Sequence, residues 1–190
     1  HNWKMGKKIS IDSATMMNKV FEVIEAKNIF EIPFNKIKIL IHRNSYVHAI
    51  IKLNNGLIKI IAHDTNMKIP IFNTLYLNTS RIKMNSKLDI NILNNLNFQK
   101  VDKLRFPLVK VLNKLNNKSS LFETVLVAAN DELVNMYLKG KIRFTDIHKN
   151  LFKFLNKKEF MKFNKIQPNK IDEIIELSYY VRSKINSLSV

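Results

Sequence analysis

No cysteine occurs among the 190 residues. Disulfides and thiolate metal sites are thereby excluded, and histidine, aspartate and glutamate remain as the strong metal ligands. No run approaches the roughly 18 consecutive apolar residues of a membrane span, and the first residues lack the charged, apolar and small-residue succession of a secretory signal. A soluble protein of the cytoplasm, or of a plastid-type organelle, is the expectation, with no membrane partner. Acidic residues are scarce too, 15 against 32 lysines and arginines, for a formal net charge of +17. Such a surplus points to a polyanion, nucleic acid first of all. Arginine, the side chain suited to bidentate phosphate and base recognition, is nevertheless rare: Arg43, Arg81, Arg105, Arg143 and Arg182 are all there are. The lysines are spread along the whole length beside many asparagines and isoleucines, as coding bias in an AT-rich genome produces. No nucleic-acid partner is expected, and a basic helical module binding RNA or another polyanion stands as the alternative reading.

The 46% hydrophobic content suffices for one good core or two small ones. Apolar residues recur at helical spacing from Thr15 to Phe30, with Asp12 or Ser13 available as N-cap. Lys36 to His42 alternates with period two, as a strand does. Tyr46 to Leu53 and Leu57 to Ala62 flank Asn54-Asn55-Gly56, which predicts an antiparallel hairpin. Pro70 opens a short helical segment, Ile71 to Leu77. The polar, weakly periodic stretch that follows reads as a connecting arm. Helices are then predicted over Pro107 to Leu115, Leu121 to Leu138, Phe144 to Leu155 and Asn169 to Leu188. In the last, Asn169 is the expected N-cap, and Ile171, Ile174, Ile175, Tyr179 and Val181 the apolar stripe. Tyr179 and Tyr180 are read as bundle core. The fold class is thus an α/β (α+β) catalytic domain with a small, mostly antiparallel sheet, residues 1–77, then a linker arm, 78–102, and an all-α C-terminal helical bundle, 103–190.

Chemistry concentrates between Lys8 and Glu22. On a helix Asn18 and Glu22 are four apart and Lys19 and Glu22 three apart, so an amide, an ammonium and a carboxylate share one face near the helix start. Ser13 and Thr15 add hydroxyls where the helix dipole and free backbone N–H groups favour a phosphate. The bland reading is a capped surface helix with an exposed Lys19–Glu22 ion pair. His42 and His48 stand near strands, to line an active site or to make structural hydrogen bonds. His63 and His148 have no metal spacing, and Met67 is as readily core as site.

Trp3-Lys4-Met5-Gly6-Lys7-Lys8-Ile9, running into Asp12-Ser13-Ala14-Thr15-Met16-Met17-Asn18-Lys19, resembles the signature of the 1-deoxy-D-xylulose 5-phosphate reductoisomerases. Weaker agreement continues through Ile41-His42 to Ser45 and His48, Met67 to Ile71, Leu126 to Asn130, and Ile142 to Ile147. The resemblance implies a role in rearranging and reducing 1-deoxy-D-xylulose 5-phosphate to 2-C-methyl-D-erythritol 4-phosphate, a step of non-mevalonate isoprenoid precursor synthesis. It implies NADPH and a divalent metal (Mn2+, Mg2+ or Co2+) as cofactors, a phosphorylated sugar as substrate, and a homodimer. By motif, Ser13, Asn18, Lys19 and Glu22 would bind substrate, Glu22 would also ligate the metal, and Gly6 would let the backbone approach NADPH. Trp3 and Met5 would form a flap over the substrate. The family's flap histidine stands three residues before the tryptophan; His1 stands two before Trp3, and that role is not assigned to it. The resemblance also implies that the chain is the C-terminal part of a longer enzyme, without the cofactor-binding domain and two acidic metal ligands, and inactive alone.

Overall fold

The computed structural model describes residues 5–76 and 89–187. Trp3, in the expected flap, and residues 78–88 of the expected arm lie outside them. The chain divides into two compact units, one comprising Leu40–Val101 and the other Met5–Ile39 with Asp102–Val190. This differs from the sequence-order boundaries at 77 and 102: the N-terminal helices belong with the C-terminal ones, because the apolar face of residues 17–24 is buried against helices more than eighty residues later.

In the larger unit, α1 (Lys7–Ala14) leads into α2 (Met17–Phe30), α5 (Leu121–Leu138) and α6 (Phe144–Leu155) follow, and α7 (Lys158–Met161) and α8 (Ile171–Asn186) close it; α3 (Lys68–Leu75) and α4 (Ile90–Asn94) belong to the smaller unit. The helix foreseen from Thr15 to Phe30 is α2, starting two residues later; α1 before it was not foreseen, and Asp12 is no N-cap but a buried residue inside α1. Met16 separates the two helices with φ 64° and ψ 10°, a left-handed conformation that a side chain adopts only at some cost. The centre is α5, whose Phe122, Val125, Leu126, Ala129 and Leu133 are buried, packed by α6 and α8. On α6 the buried set is Ile147, Leu151, Phe154 and Leu155, a spacing of four, three and one that puts one stripe inward. The Asp146 carboxylate accepts from the Arg143 amide at 3.0 Å and so starts that helix.

On α8 the inward residues are Leu177, Val181 and Ile185, whereas Ile171 and Tyr179 are 74% and 71% exposed. The expected stripe and the expected core tyrosines are thus corrected: of the stripe only Val181 is buried, and Tyr180 reaches outward to the Glu159 carboxylate. Lys170, rather than Asn169, precedes the first helical residue. Pro107–Lys114 forms a tight three-residue-per-turn helix instead of an α-helix. The last turn of α2 is tied down by Lys27, whose buried ammonium donates to Asn28 Oδ1 at 2.8 Å and to Ser119 Oγ at 3.0 Å, with Glu123 3.9 Å away.

The smaller unit holds two antiparallel pairs. Strand β2 (Val47–Lys52) pairs with β3 (Ile58–Ala62) as the Asn54-Asn55-Gly56 signal predicts, and Gly56 takes the positive φ of 88°. Strand β1 (Leu40–His42) pairs with β4 (Phe98–Lys100), Leu40 opposite Lys100 and His42 opposite Phe98. The strand expected from Lys36 is shorter, because Phe34–Lys36 after Pro33 turns helically. Helix α4 and β4 lie within the stretch read as an arm, too short to carry a period. No helix among the described residues is long and apolar enough to cross a membrane.

Candidate functional site

The α1–α2 junction carries the side chains singled out above. Gly6 stands just before α1 in an extended conformation, and its carbonyl accepts from the Ser10 amide at 3.1 Å and hydroxyl at 3.0 Å. A Cβ added there would meet nothing within 4 Å, so the backbone face of Gly6 is open to a ligand. Met5 beside it is exposed. Near the end of α1 the turn folds back. Thr15 Oγ1 donates to the Asp12 carbonyl at 3.2 Å and the Met16 amide to the Ser13 carbonyl at 3.2 Å, after which α2 begins at Met17. Its first-turn amides, those of Asn18 and Lys19 included, precede any intrahelical acceptor and carry the positive end of the helix dipole.

Asn18, Lys19 and Glu22 meet as their spacing predicts. Asn18 Nδ2 donates to Glu22 Oε1 at 2.7 Å and Lys19 Nζ to Glu22 Oε2 at 2.6 Å. The Lys19 and Glu22 side chains are each 44% exposed, so the pair contributes little to stability and both partners can exchange for a ligand. The face thus offers an ammonium, an amide donor and first-turn N–H groups for an anion, with one carboxylate for a hard cation.

Sequence reasoning passed over the polar contacts that α1 makes with α5. Lys8 lies 2.7 Å from Asp12 Oδ2 and 2.8 Å from Asp131 Oδ1, an ion pair with each carboxylate. The one sequence signal was the four-residue spacing of Lys8 and Asp12. Burial opposes the charged Lys8, but the two carboxylates outweigh it and hold its ammonium charged above the ordinary lysine value of 10.5. A pKa raised on folding adds stability that is complete below the unfolded value and lost as pH rises through the folded one. Because nearly half of the Lys8 side chain is exposed and water screens the pair, Lys8→Met is expected to cost about 1 kcal/mol or less, with a gap in melting temperature that stays constant from about pH 6 to about pH 9 and narrows only above the ordinary lysine range. Thermal melts of both forms across that range check this; a gap that closes on going from neutral pH to about pH 9 would contradict it.

In the smaller unit a polar cleft of about 310 Å3 is lined by His42, Arg43, Asn44, Asn95, Asn97 and Gln99. The His42 ring lies 3.3 Å through Nδ1 from the Asn97 carbonyl and tilts against Phe98, with centroids 5.1 Å apart. His48 and His63 stack with centroids 3.7 Å apart, a face-to-face arrangement that directs no shared lone pair to a metal. Met67 is 52% exposed, which removes the core reading for it.

The model of the DXP reductoisomerase C-terminal domain matches residues 63–184, and that of the 1-deoxy-D-xylulose 5-phosphate reductoisomerase C-terminal domain matches residues 1–30. The chain belongs to the 1-deoxy-D-xylulose 5-phosphate reductoisomerase family. Among its relatives, the reductoisomerase of Pelagibacter ubique is 57% identical over 189 residues, covering 100% of this chain and 49% of that protein. The enzyme of a Sulfurihydrogenibium species is 38% identical, over 97% of this chain and 47% of its own. A DOX-P reductoisomerase solved with NADPH, fosmidomycin and magnesium aligns with TM-score 0.87 at 32% identity, over 98% of this chain and 47% of that one. The Zymomonas mobilis reductoisomerase solved with NADPH aligns with TM-score 0.83 at 31% identity, over 96% and 47% respectively. The chain therefore spans about half the length of the reductoisomerases it matches, with their fold over that half.

Proposed function

We propose that the chain is the part of a 1-deoxy-D-xylulose 5-phosphate reductoisomerase that supplies the substrate-covering flap, the phosphate-binding helix start and one metal carboxylate. The observation that carries this is the meeting of Asn18, Lys19 and Glu22 at the start of α2, at 2.6–2.7 Å, directly after the flap motif. In this reading the Lys19 ammonium and the first-turn amides of α2 take the charge of the substrate phosphate. Ser13 and Asn18 orient it by hydrogen bonds, and Gly6 lets the backbone approach NADPH. Met5, with Trp3, covers the substrate and keeps water out.

Glu22 fits a divalent cation as one ligand of several. Its carboxylate is exposed and held by partners that a ligand can replace, yet among the described residues no group of three or more His, Asp or Glu could hold a metal ion. The remaining ligands are proposed to come from other parts of the enzyme. When bound, the cation supplies Lewis acidity at the substrate oxygens and NADPH supplies the hydride. Because Lys19 and Glu22 hold each other, the phosphate draws Lys19 away as the cation takes Glu22, and the site opens to both together.

The hairpin supports the homodimer. Ile50, Ile51, Ile58, Ile60 and Ile61 are all at least 40% exposed, on both faces of a two-stranded sheet that is marginal by itself. A second copy of the enzyme is the proposed cover. Nucleic acid has no part in this reading, since the basic residues are dispersed lysines.

The full-length enzyme is expected to oxidise NADPH when given 1-deoxy-D-xylulose 5-phosphate and Mn2+, and the 190-residue chain alone to show none. Following absorbance of NADPH in both tests this; a full-length enzyme without turnover, or turnover by the isolated chain, would overturn the reading.

A further inference from the structure

Between α1 and α5 lies a buried polar contact that the function above does not use. Asp12 on α1 is 2% exposed and Asn130 on α5 is fully buried, and Asn130 Nδ2 donates to Asp12 Oδ1 at 2.8 Å. Lys8, one turn earlier on α1, joins Asp12 to Asp131, and the other Asp131 oxygen accepts from Arg182 Nη2 on α8 at 2.8 Å. Asn130 Oδ1 finds no donor among the described residues.

Stability alone gives no reason for this arrangement. A buried carboxylate and a half-satisfied amide cost desolvation, and an apolar pair of the same volume would hold the helices together at least as well. What an apolar pair lacks is direction. A hydrogen bond of 2.8 Å constrains angle as well as distance, whereas α1 is only eight residues long, with Ile11 its apolar contact to the core. Asp12 immediately precedes Ser13, and its carbonyl accepts from Thr15, so the turn into α2 hangs from the anchored residue.

We infer that the Asp12–Asn130 hydrogen bond, backed by Lys8 between Asp12 and Asp131, is a positioning device that sets α1 on α5 and thereby places Ser13 against Asn18, Lys19 and Glu22. This rests on the proposed function, and these residues position the site without touching substrate. The chemical demand is one donor facing one acceptor, so exchanging the two side chains should preserve it.

The test uses the full-length enzyme, assayed well below its melting temperature. Asn130→Ala and Asn130→Asp are expected to raise KM for the phosphorylated substrate about tenfold with a smaller change in kcat. The exchange Asp12→Asn/Asn130→Asp is expected to bring KM back to within about threefold of the unmutated enzyme. Lys8→Met and Lys8→Arg, at a position that is partly exposed, decide the matter if the Asn130 variants do not fold. The methionine should raise KM and the arginine should not. Unchanged KM in a folded Asn130→Ala or in Lys8→Met overturns the inference, as does a melting temperature that recovers in the exchange while KM does not. Absence of turnover in the unmutated enzyme would instead count against the proposed function.

Discussion

Glu22→Gln in the full-length enzyme is expected to lower activity by roughly two orders of magnitude or more, recovering only partly with excess Mn2+. Glutamine keeps the length and helix preference of the side chain and its one carbonyl oxygen can still accept from Asn18 or Lys19 on this exposed face, so the fold has no reason to change. What it loses is the formal charge that a hard divalent cation requires of an oxygen ligand. Stability should shift by about 1 kcal/mol or less, because an exposed pair is worth no more. Lys19→Ala separates the two halves of the site: KM for the phosphorylated substrate should rise while the metal requirement changes little, since the lysine's proposed partner is an anion. Rates titrated against Mn2+ and against substrate for both variants give the answer. Near-normal activity in Glu22→Gln would mean that this helix face is only a solvated surface.

The largest expected effect on stability lies far from this chemistry, at Phe154. Its ring is 1% exposed and stacks on fully buried Phe160 with centroids 4.0 Å apart, which ties α6 to α7. Truncation to alanine removes the ring's burial and leaves a cavity that these helices cannot easily close, a loss of about 3–5 kcal/mol and on the order of 10 °C in melting temperature. Tyr179→Ala, at 71% exposure, should stay within about 0.5 kcal/mol. Denaturant melts of the isolated chain compare the two. A cost below about 1 kcal/mol at Phe154 would show that the packing there is loose.

How far the sequence spoke depended on whether a residue's partner was near it in the chain. The limits of α5 and α6 were legible because apolar period and capping are local, and so was the hairpin, whose turn residues sit between its strands. The convergence of Asn18, Lys19 and Glu22 was likewise a matter of three and four residues. On α8 two apolar faces compete, Ile171, Ile175 and Tyr179 against Leu177, Val181 and Ile185, and nothing within the helix says which one meets α5. Asp12 read as a cap because its partner, Asn130, lies 118 residues away. The left-handed Met16 left no mark either, since a glycine would have announced the turn and methionine does not.

The division of the larger unit into two stretches separated by residues 40–101 also has a consequence during synthesis. Helices of eight and fourteen residues do not persist by themselves in water, so α1 and α2 leave the ribosome without a frame. At ordinary elongation rates Asn130 follows Asp12 by roughly ten seconds. Until then the smaller unit can form its local hairpin, while the motif that gives the family its signature waits for a helix not yet translated. The proposed binding face is thus set only after α5 has been translated.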